Sequence, residues 1–154
     1  IVARPHFARA MVARGYVPDL RAAFQQFLKD GGPAYVEVEA PHPKAAVHAI
    51  RAGGGVAVIA HPGQIHLTTR EDYDVFLRAL AAEGLGGIEV WHPSHDVVQR
   101  AMFLELAKAH GLVPSGGSDF HGEHKPRIRL GAGDGTVAIH RATWDALARR
   151  RPAA

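Results

Sequence analysis

A chain of 154 residues, 47% hydrophobic and 21% charged, is long enough to bury a core and too apolar to stay disordered. It contains no cysteine, which excludes disulfides and thiolate metal sites and leaves nitrogen and oxygen to ligate any ion. The net charge of +3 rests on 14 arginines and 4 lysines, and no apolar run approaches the ~20 residues that span a bilayer.

Much of the basic excess sits in Arg149-Arg150-Arg151. Such a run reads as a solvated tail, while the arginine excess as a whole would still suit a phosphate-bearing substrate, because arginine presents a planar fork of donors. The lack of cysteine fits a cytoplasmic protein. The chain opens at Ile1 without an initiator methionine, so it is expected to be part of a longer protein. No signal-peptide pattern is visible, although a truncated start would hide one.

The first 31 residues are helical and arginine-rich. Phe7, Ala10, Met11 and Arg14 fall at helical spacing, with Gly15 as the stop. Asp19 is placed to cap a second helix with Leu20, Ala23, Phe24, Phe27 and Leu28 on one apolar face, ended by Gly31-Gly32-Pro33. From residue 32 to 154 the rhythm becomes strand, loop, helix. An extended segment is expected over Ala34 to Val38, a helix over Pro43 to Ala52, and a strand over Val56 to Ala60. Thr69 caps a helix from about Arg70 to Ala82, and a strand runs from Gly87 to Trp91. Asp96 caps a helix through Ala109, closed by Gly111, before a strand over Leu112 to Ser115. A short strand over Ile128 to Leu130 and a helix over His140 to Arg150 complete the series. Strands alternating with helices of this length imply parallel βα units, an α/β class, with domains at 1–31 and 32–154.

Three strand ends carry histidines. His61 follows an apolar strand and precedes Pro62-Gly63, so it sits where the ladder stops. It is either a metal ligand or a loop hydrogen-bonder. Asp119 and His121 share one side of an extended segment and can converge on a single ion. The small residues Ser115-Gly116-Gly117-Ser118 before them permit close backbone approach; the alternative is a turn cap beside an exposed imidazole. Pro93 breaks regular structure between His92 and His95, so their relative direction is not predictable. They can ligate metal, bind phosphate or decorate a loop; the reading favours a loop role for His92, a substrate-side role for His95 and ligation by neither. His66, His110, His124 and His140 read as surface residues.

Taken in order, these segments resemble the PHP family, named for polymerase and histidinol phosphatase. The resemblance is carried by Arg4-Pro5-His6-Phe7-Ala8-Arg9-Ala10, by Gly54 to Gly63 ending in Ala60-His61-Pro62-Gly63, by Gly87-Ile88-Glu89-Val90, and by Gly117-Ser118-Asp119-Phe120-His121-Gly122. It spans nearly the whole chain up to about Gly131 and looks most like the nucleoside 3′,5′-bisphosphate phosphatases and the related 5′-to-3′ exoribonucleases. The resemblance implies the later strands of a distorted (β/α)₇ barrel plus an inserted helical segment at residues 1–31. It implies a cluster of divalent ions, manganese first, with zinc, iron(II) or magnesium as alternatives. His61, Asp119 and His121 match metal ligands; Arg4 and His6 match a segment that holds substrate phosphate, with His95 as a further phosphate contact. No catalytic group beyond a metal-bound water is implied.

Two departures stand out. The family's opening motifs, an HxH pair, an aspartate-histidine turn and a strand-end glutamate, are absent. Asp30-Gly31-Gly32 stands where relatives often carry a basic residue. Three ligands can hold one ion but not a cluster. The expectation is therefore a C-terminal portion of a phosphoesterase acting on phosphorylated nucleotides or short RNA, weak or inactive alone. It would be completed by a missing N-terminal half or a second copy, with no membrane partner. A non-catalytic remnant and a metal-independent nucleic-acid-binding module remain as alternatives.

Overall fold

The structure, a computed structural model, describes residues 2–37, 40–122 and 125–152. The chain divides into two units, Ile1–Ala40 and Pro41–Ala154, a boundary nine residues beyond the composition change at Gly31.

In the first unit, α1 (Arg4–Ala13) starts with Pro5 in its first turn, where a missing N–H costs nothing, and ends at Gly15 in the left-handed region. The Asp19 carboxylate accepts from the Ala22 N–H at 2.7 Å and opens α2 (Leu20–Ala23). The expected single helix does not continue as such, because Phe24–Leu28 winds as a π-helical turn. Ala8, Val17, Ala23 and Leu28 form this unit's core. At Gly32 a Cβ would lie 2.5 Å from the Phe27 carbonyl oxygen, so the chain can reverse there only without a side chain. No strand forms over residues 34–37, and Val38, the end of the expected extended segment, lies outside the described residues.

The second unit follows the βα rhythm. α3 (Pro43–Ala52) leads to β1 (Val58–Ile59), α4 (Arg70–Ala82), β2 (Gly87–Trp91), α5 (Val97–Ala109), β3 (Val113–Gly116) and α6 (Arg141–Ala148). The strands form one parallel sheet in the order β1-β2-β3, with Val58 opposite Gly87 and Ile88 opposite Pro114. Thr69 with Asp72, and Asp96 with Gln99, close reciprocal capping boxes at the starts of α4 and α5. Leu77, Ile88, Val90, Phe103 and Leu106 are buried where these helices meet the sheet.

Two strands are shorter than expected. β1 pairs only at Val58 and Ile59, since Ala57 turns its carbonyl to the Gly86 and Gly87 N–H groups and His61 bends away beyond it. The strand expected over Ile128 to Leu130 reduces to one antiparallel bridge, Arg129 to Gly133, inside a turn whose Gly131 and Gly133 have positive φ. Among the described residues no helix is long and apolar enough to cross a membrane.

Candidate metal centre

The three parallel strands deliver their histidines and acids to the carboxyl edge of the sheet, the edge at which open α/β sheets bind ligands. β1 leads to His61, β2 to His92 and His95, and β3 through Gly117 and Ser118 to Asp119 and His121.

His61 adopts φ 33° and ψ 56°, a left-handed conformation uncommon outside glycine. Its backbone N–H donates to Glu89 Oε2 at 2.6 Å. The Tyr73 hydroxyl fixes the next residue by donating to the Pro62 carbonyl at 3.0 Å. The His61 ring meets the His92 ring edge-on, with centroids 5.8 Å apart.

Asp119 is the meeting point of the site. It too is left-handed, with φ 50°. One carboxylate oxygen pairs with the Lys125 ammonium and lies 3.4 Å from His92 Nε2; the other is 3.5 Å from His121 Nδ1. Burial works to raise this carboxyl, but the hydrogen bond and charge of Lys125, with His121 and His92, outweigh it and hold Asp119 below the usual carboxylate range. His121 Nδ1 donates to the Asp119 carbonyl at 2.7 Å. That bond leaves the lone pair on Nε2, the tautomer common in metal-binding histidines whose other nitrogen is held by a carbonyl.

His92 is not the loop ornament expected from the sequence. Its ring is 2% exposed. Nδ1 accepts from the Ser94 N–H at 3.1 Å, so the neutral ring carries its proton on Nε2. That buried Nε2 lacks a well-formed partner and faces Asp119. The Asp119 carboxylate with the imidazoles of His61 and His121 makes a nitrogen and oxygen donor set suited to a divalent ion, while His92, protonated on Nε2, can only donate toward Asp119. Among the described residues, however, no three or more such side chains are already drawn into an ion-holding cluster. Lys125 holds the Asp119 position instead. A cavity of about 470 Å³ opens here, with Gln64, His92, Ser118, Asp119, Lys125 and Arg127 among its walls.

The residues expected to contact phosphate are His95 in this unit and Arg4 and His6 in the first. His95 is 3% exposed, and both ring nitrogens are engaged: Nδ1 donates to the Val90 carbonyl at 2.9 Å and Nε2 accepts from the Gly63 N–H at 3.2 Å. Burial pushes it below the ordinary histidine value, against the opposing effect of the Val90 bond. As placed, His95 braces the loop after His61 and has no nitrogen left for substrate. In the first unit, Arg4 is tied to the Asp30 carboxylate at 2.8 Å and to the Leu28 carbonyl at 3.1 Å, and lies over the Tyr35 ring. His6 Nδ1 accepts from the Ala3 N–H at 3.1 Å. Both belong to the start of α1, where Arg4 borders an apolar cleft with Phe7, Met11 and Tyr35.

Of the remaining histidines, His66 and His140 are exposed, as expected. His110 is not a plain surface residue, because its Nε2 pairs with Asp74 at 2.9 Å. His124 lies outside the described residues. Glu89 and Lys125 carry no site role in the sequence pattern, and His92 carries only a loop role there. A single acid inside the apolar run of β2 was a visible signal for Glu89; nothing in the local pattern marks Lys125.

No family model matches the chain. It is 37% identical over 155 residues to the 3′,5′-nucleoside bisphosphate phosphatase of Chromobacterium violaceum, an alignment covering 99% of this chain and 54% of that protein. It is 34% identical over 134 residues to the 5′-3′ exoribonuclease Rnm of Escherichia coli, covering 84% of this chain and 44% of the relative. In structure it matches a protein assigned as a metal-dependent phosphoesterase from Bifidobacterium adolescentis, with TM-score 0.79, 32% identity, and coverage of 99% of this chain and 51% of that one. The chain is similar to members of the PHP family. It spans about half the length of the curated relatives it matches. Within that PHP frame, the mixed helix and sheet architecture with its small parallel sheet is shared with the matched structure.

Proposed function

We propose that the chain is the C-terminal portion of a metal-dependent PHP phosphoesterase that hydrolyses phosphomonoesters of nucleotides, with 3′,5′-bisphosphates and short RNA ends as its substrate class. In this reading the three strands are later strands of a distorted (β/α)₇ barrel. His61, Asp119 and His121 hold divalent metal, manganese in first place, and further ligands come from outside this chain or from a second copy. The whole protein is read as cytoplasmic.

The observation that carries the proposal is the Asp119 carboxylate, which gathers His92, His121 and Lys125 at the carboxyl edge of the sheet. The likeness to a bisphosphate phosphatase and an exoribonuclease supports phosphate esters as the substrate class. When bound, divalent ions polarise phosphoryl oxygens and acidify water.

The chain's own residues do the rest. Asp119 supplies anionic oxygens, and His121 offers Nε2 because Nδ1 is held by a carbonyl. The Lys125 ammonium pairs with the Asp119 carboxylate. Lys125 and Arg127 both line the cavity, where two cations would attract phosphate oxygens. Arg4 and His6 are the phosphate contacts of the helical unit in this reading, with Arg4 exchanging Asp30 for substrate.

The test is phosphate release from adenosine 3′,5′-bisphosphate in manganese. The full-length protein is expected to turn over and Asp119→Asn to fall to background, while this chain alone shows little or no activity. A full-length protein with no metal-dependent turnover would remove the proposal. The nucleic-acid-binding alternative predicts RNA affinity that falls steeply with salt and ignores EDTA.

A further inference from the structure

β2 is an apolar strand with one acid in its middle, Gly87-Ile88-Glu89-Val90-Trp91. Glu89 pairs in register with Ser115, between β1 and β3. Middle strands of parallel sheets are ordinarily apolar, because a half-buried carboxylate must find strong donors to be tolerated. Here it finds the backbone N–H of His61, at 2.6 Å from Oε2, a charge-assisted bond across to the turn after β1. That turn needs holding, since His61 is a side-chain-bearing residue with φ 33°.

The other carboxylate oxygen faces the turn after β3. A Cβ built on Gly117 would lie 3.0 Å from Glu89 Oε1, closer than the pair would tolerate without a shift. Gly117 is itself fixed by donating to the Trp91 carbonyl at 3.0 Å, and it precedes the left-handed Asp119 by two residues. One carboxylate on the central strand thus bonds the turn that carries His61 and lies beside Gly117 in the turn that leads to Asp119.

We infer that Glu89 is a positioning residue of the centre, setting the His61 turn by accepting its backbone N–H and leaving the imidazole directed at the site. It is distinct from a ligand, because the bond is to backbone and the held group is His61. The inference rests on the metal-centre reading above, and its test separates the two.

The experiment uses the full-length protein, measuring Mn²⁺ affinity by calorimetry and, with metal absent, hydrogen exchange at the His61 amide. Glu89→Leu keeps bulk and removes the acceptor; it is expected to weaken Mn²⁺ binding by at least roughly tenfold and to speed exchange at His61. Glu89→Gln keeps an acceptor oxygen and is expected to stay close to wild type in both readouts. Equal losses for the Leu and Gln variants would mean that Glu89 ligates the metal, which overturns the positioning role. Unchanged His61 exchange in Glu89→Leu would overturn it too, as would wild-type affinity. If Glu89→Leu does not fold, Gly117→Ala keeps Glu89 and crowds Oε1; it is expected to weaken Mn²⁺ binding and speed His61 exchange, and wild-type values in both count against the inference. Absence of Mn²⁺ binding by wild-type protein defeats the metal-centre reading, while the exchange arm still decides whether Glu89 holds the turn.

Discussion

His92 Nε2 faces Asp119 Oδ2 across 3.4 Å from a ring that is almost wholly buried. Its proton position follows from the opposite nitrogen, which accepts from Ser94. His92 therefore acts toward Asp119 as a donor. His92→Gln places an amide N–H near the same point and is expected to preserve the fold. His92→Ala removes the donor and is expected to lose about 1–3 kcal/mol in urea unfolding. Nitrogen chemical shifts of the wild-type ring should report the Nε2-protonated form, and an Nδ1-protonated ring would refute this assignment.

Phe103 lies beneath that array, fully buried, with ring centroids 5.2 Å from Tyr73 and 5.1 Å from His95. Tyr73 holds Pro62 and His95 holds Gly63, so the Phe103 ring supports the loop after His61 from below. Phe103→Ala is expected to destabilise by about 3–5 kcal/mol, read from the urea midpoint. A change under 1 kcal/mol, on the order of a surface substitution, would show that the core does not bear on this loop.

Asp96 starts α5 by accepting from the Gln99 N–H at 2.7 Å, while Gln99 returns a bond to the Asp96 N–H. Asp96→Ala is expected to cost about 0.5–2 kcal/mol, and Asp96→Ser to recover most of it. Equal losses for the two variants would place the effect somewhere other than the cap.

Glu83, the residue that ends α4, accepts from Lys44 Nζ at 2.9 Å and pairs with His48 Nε2 at 2.7 Å. Those hydrogen bonds, Lys44 first, lower its carboxyl below the ordinary value of 4.5. A carboxylate lowered on folding contributes stability above its unfolded pKa, and that contribution drains away as pH falls through the folded value. The contribution is therefore intact at neutral pH and begins to drain away below about pH 4.5. Glu83→Gln should be less stable than wild type at pH 7, with the difference shrinking below pH 4. A difference that stays constant with pH would argue against the ionic origin.

Much of this was legible in the sequence because it depended on local chemistry. Asp19, Thr69 and Asp96 announce helix starts, and Gly15 and Gly111 announce stops, since each acts on its own neighbours. β2 was visible as an apolar run of the right length. What was not legible depended on partners distant in the chain. His92 and His95 share a loop broken by Pro93, so their burial and the uses of their nitrogens emerge only when Asp119, Gly63 and Val90 are brought near. Lys125 joins Asp119 through a turn with no periodic signature. The early end of β1 reflects the left-handed turn at His61, which a β-rich pattern gives no reason to expect.

The most direct measurement is a crystal structure of the full-length protein soaked with Mn²⁺, with the ion located by its anomalous signal. The account predicts an ion within about 2.0–2.6 Å of ligand atoms from His61, Asp119 and His121, with Lys125 moved off the Asp119 carboxylate. Manganese bound elsewhere, or those three side chains directed apart with Lys125 still seated on Asp119, would contradict it.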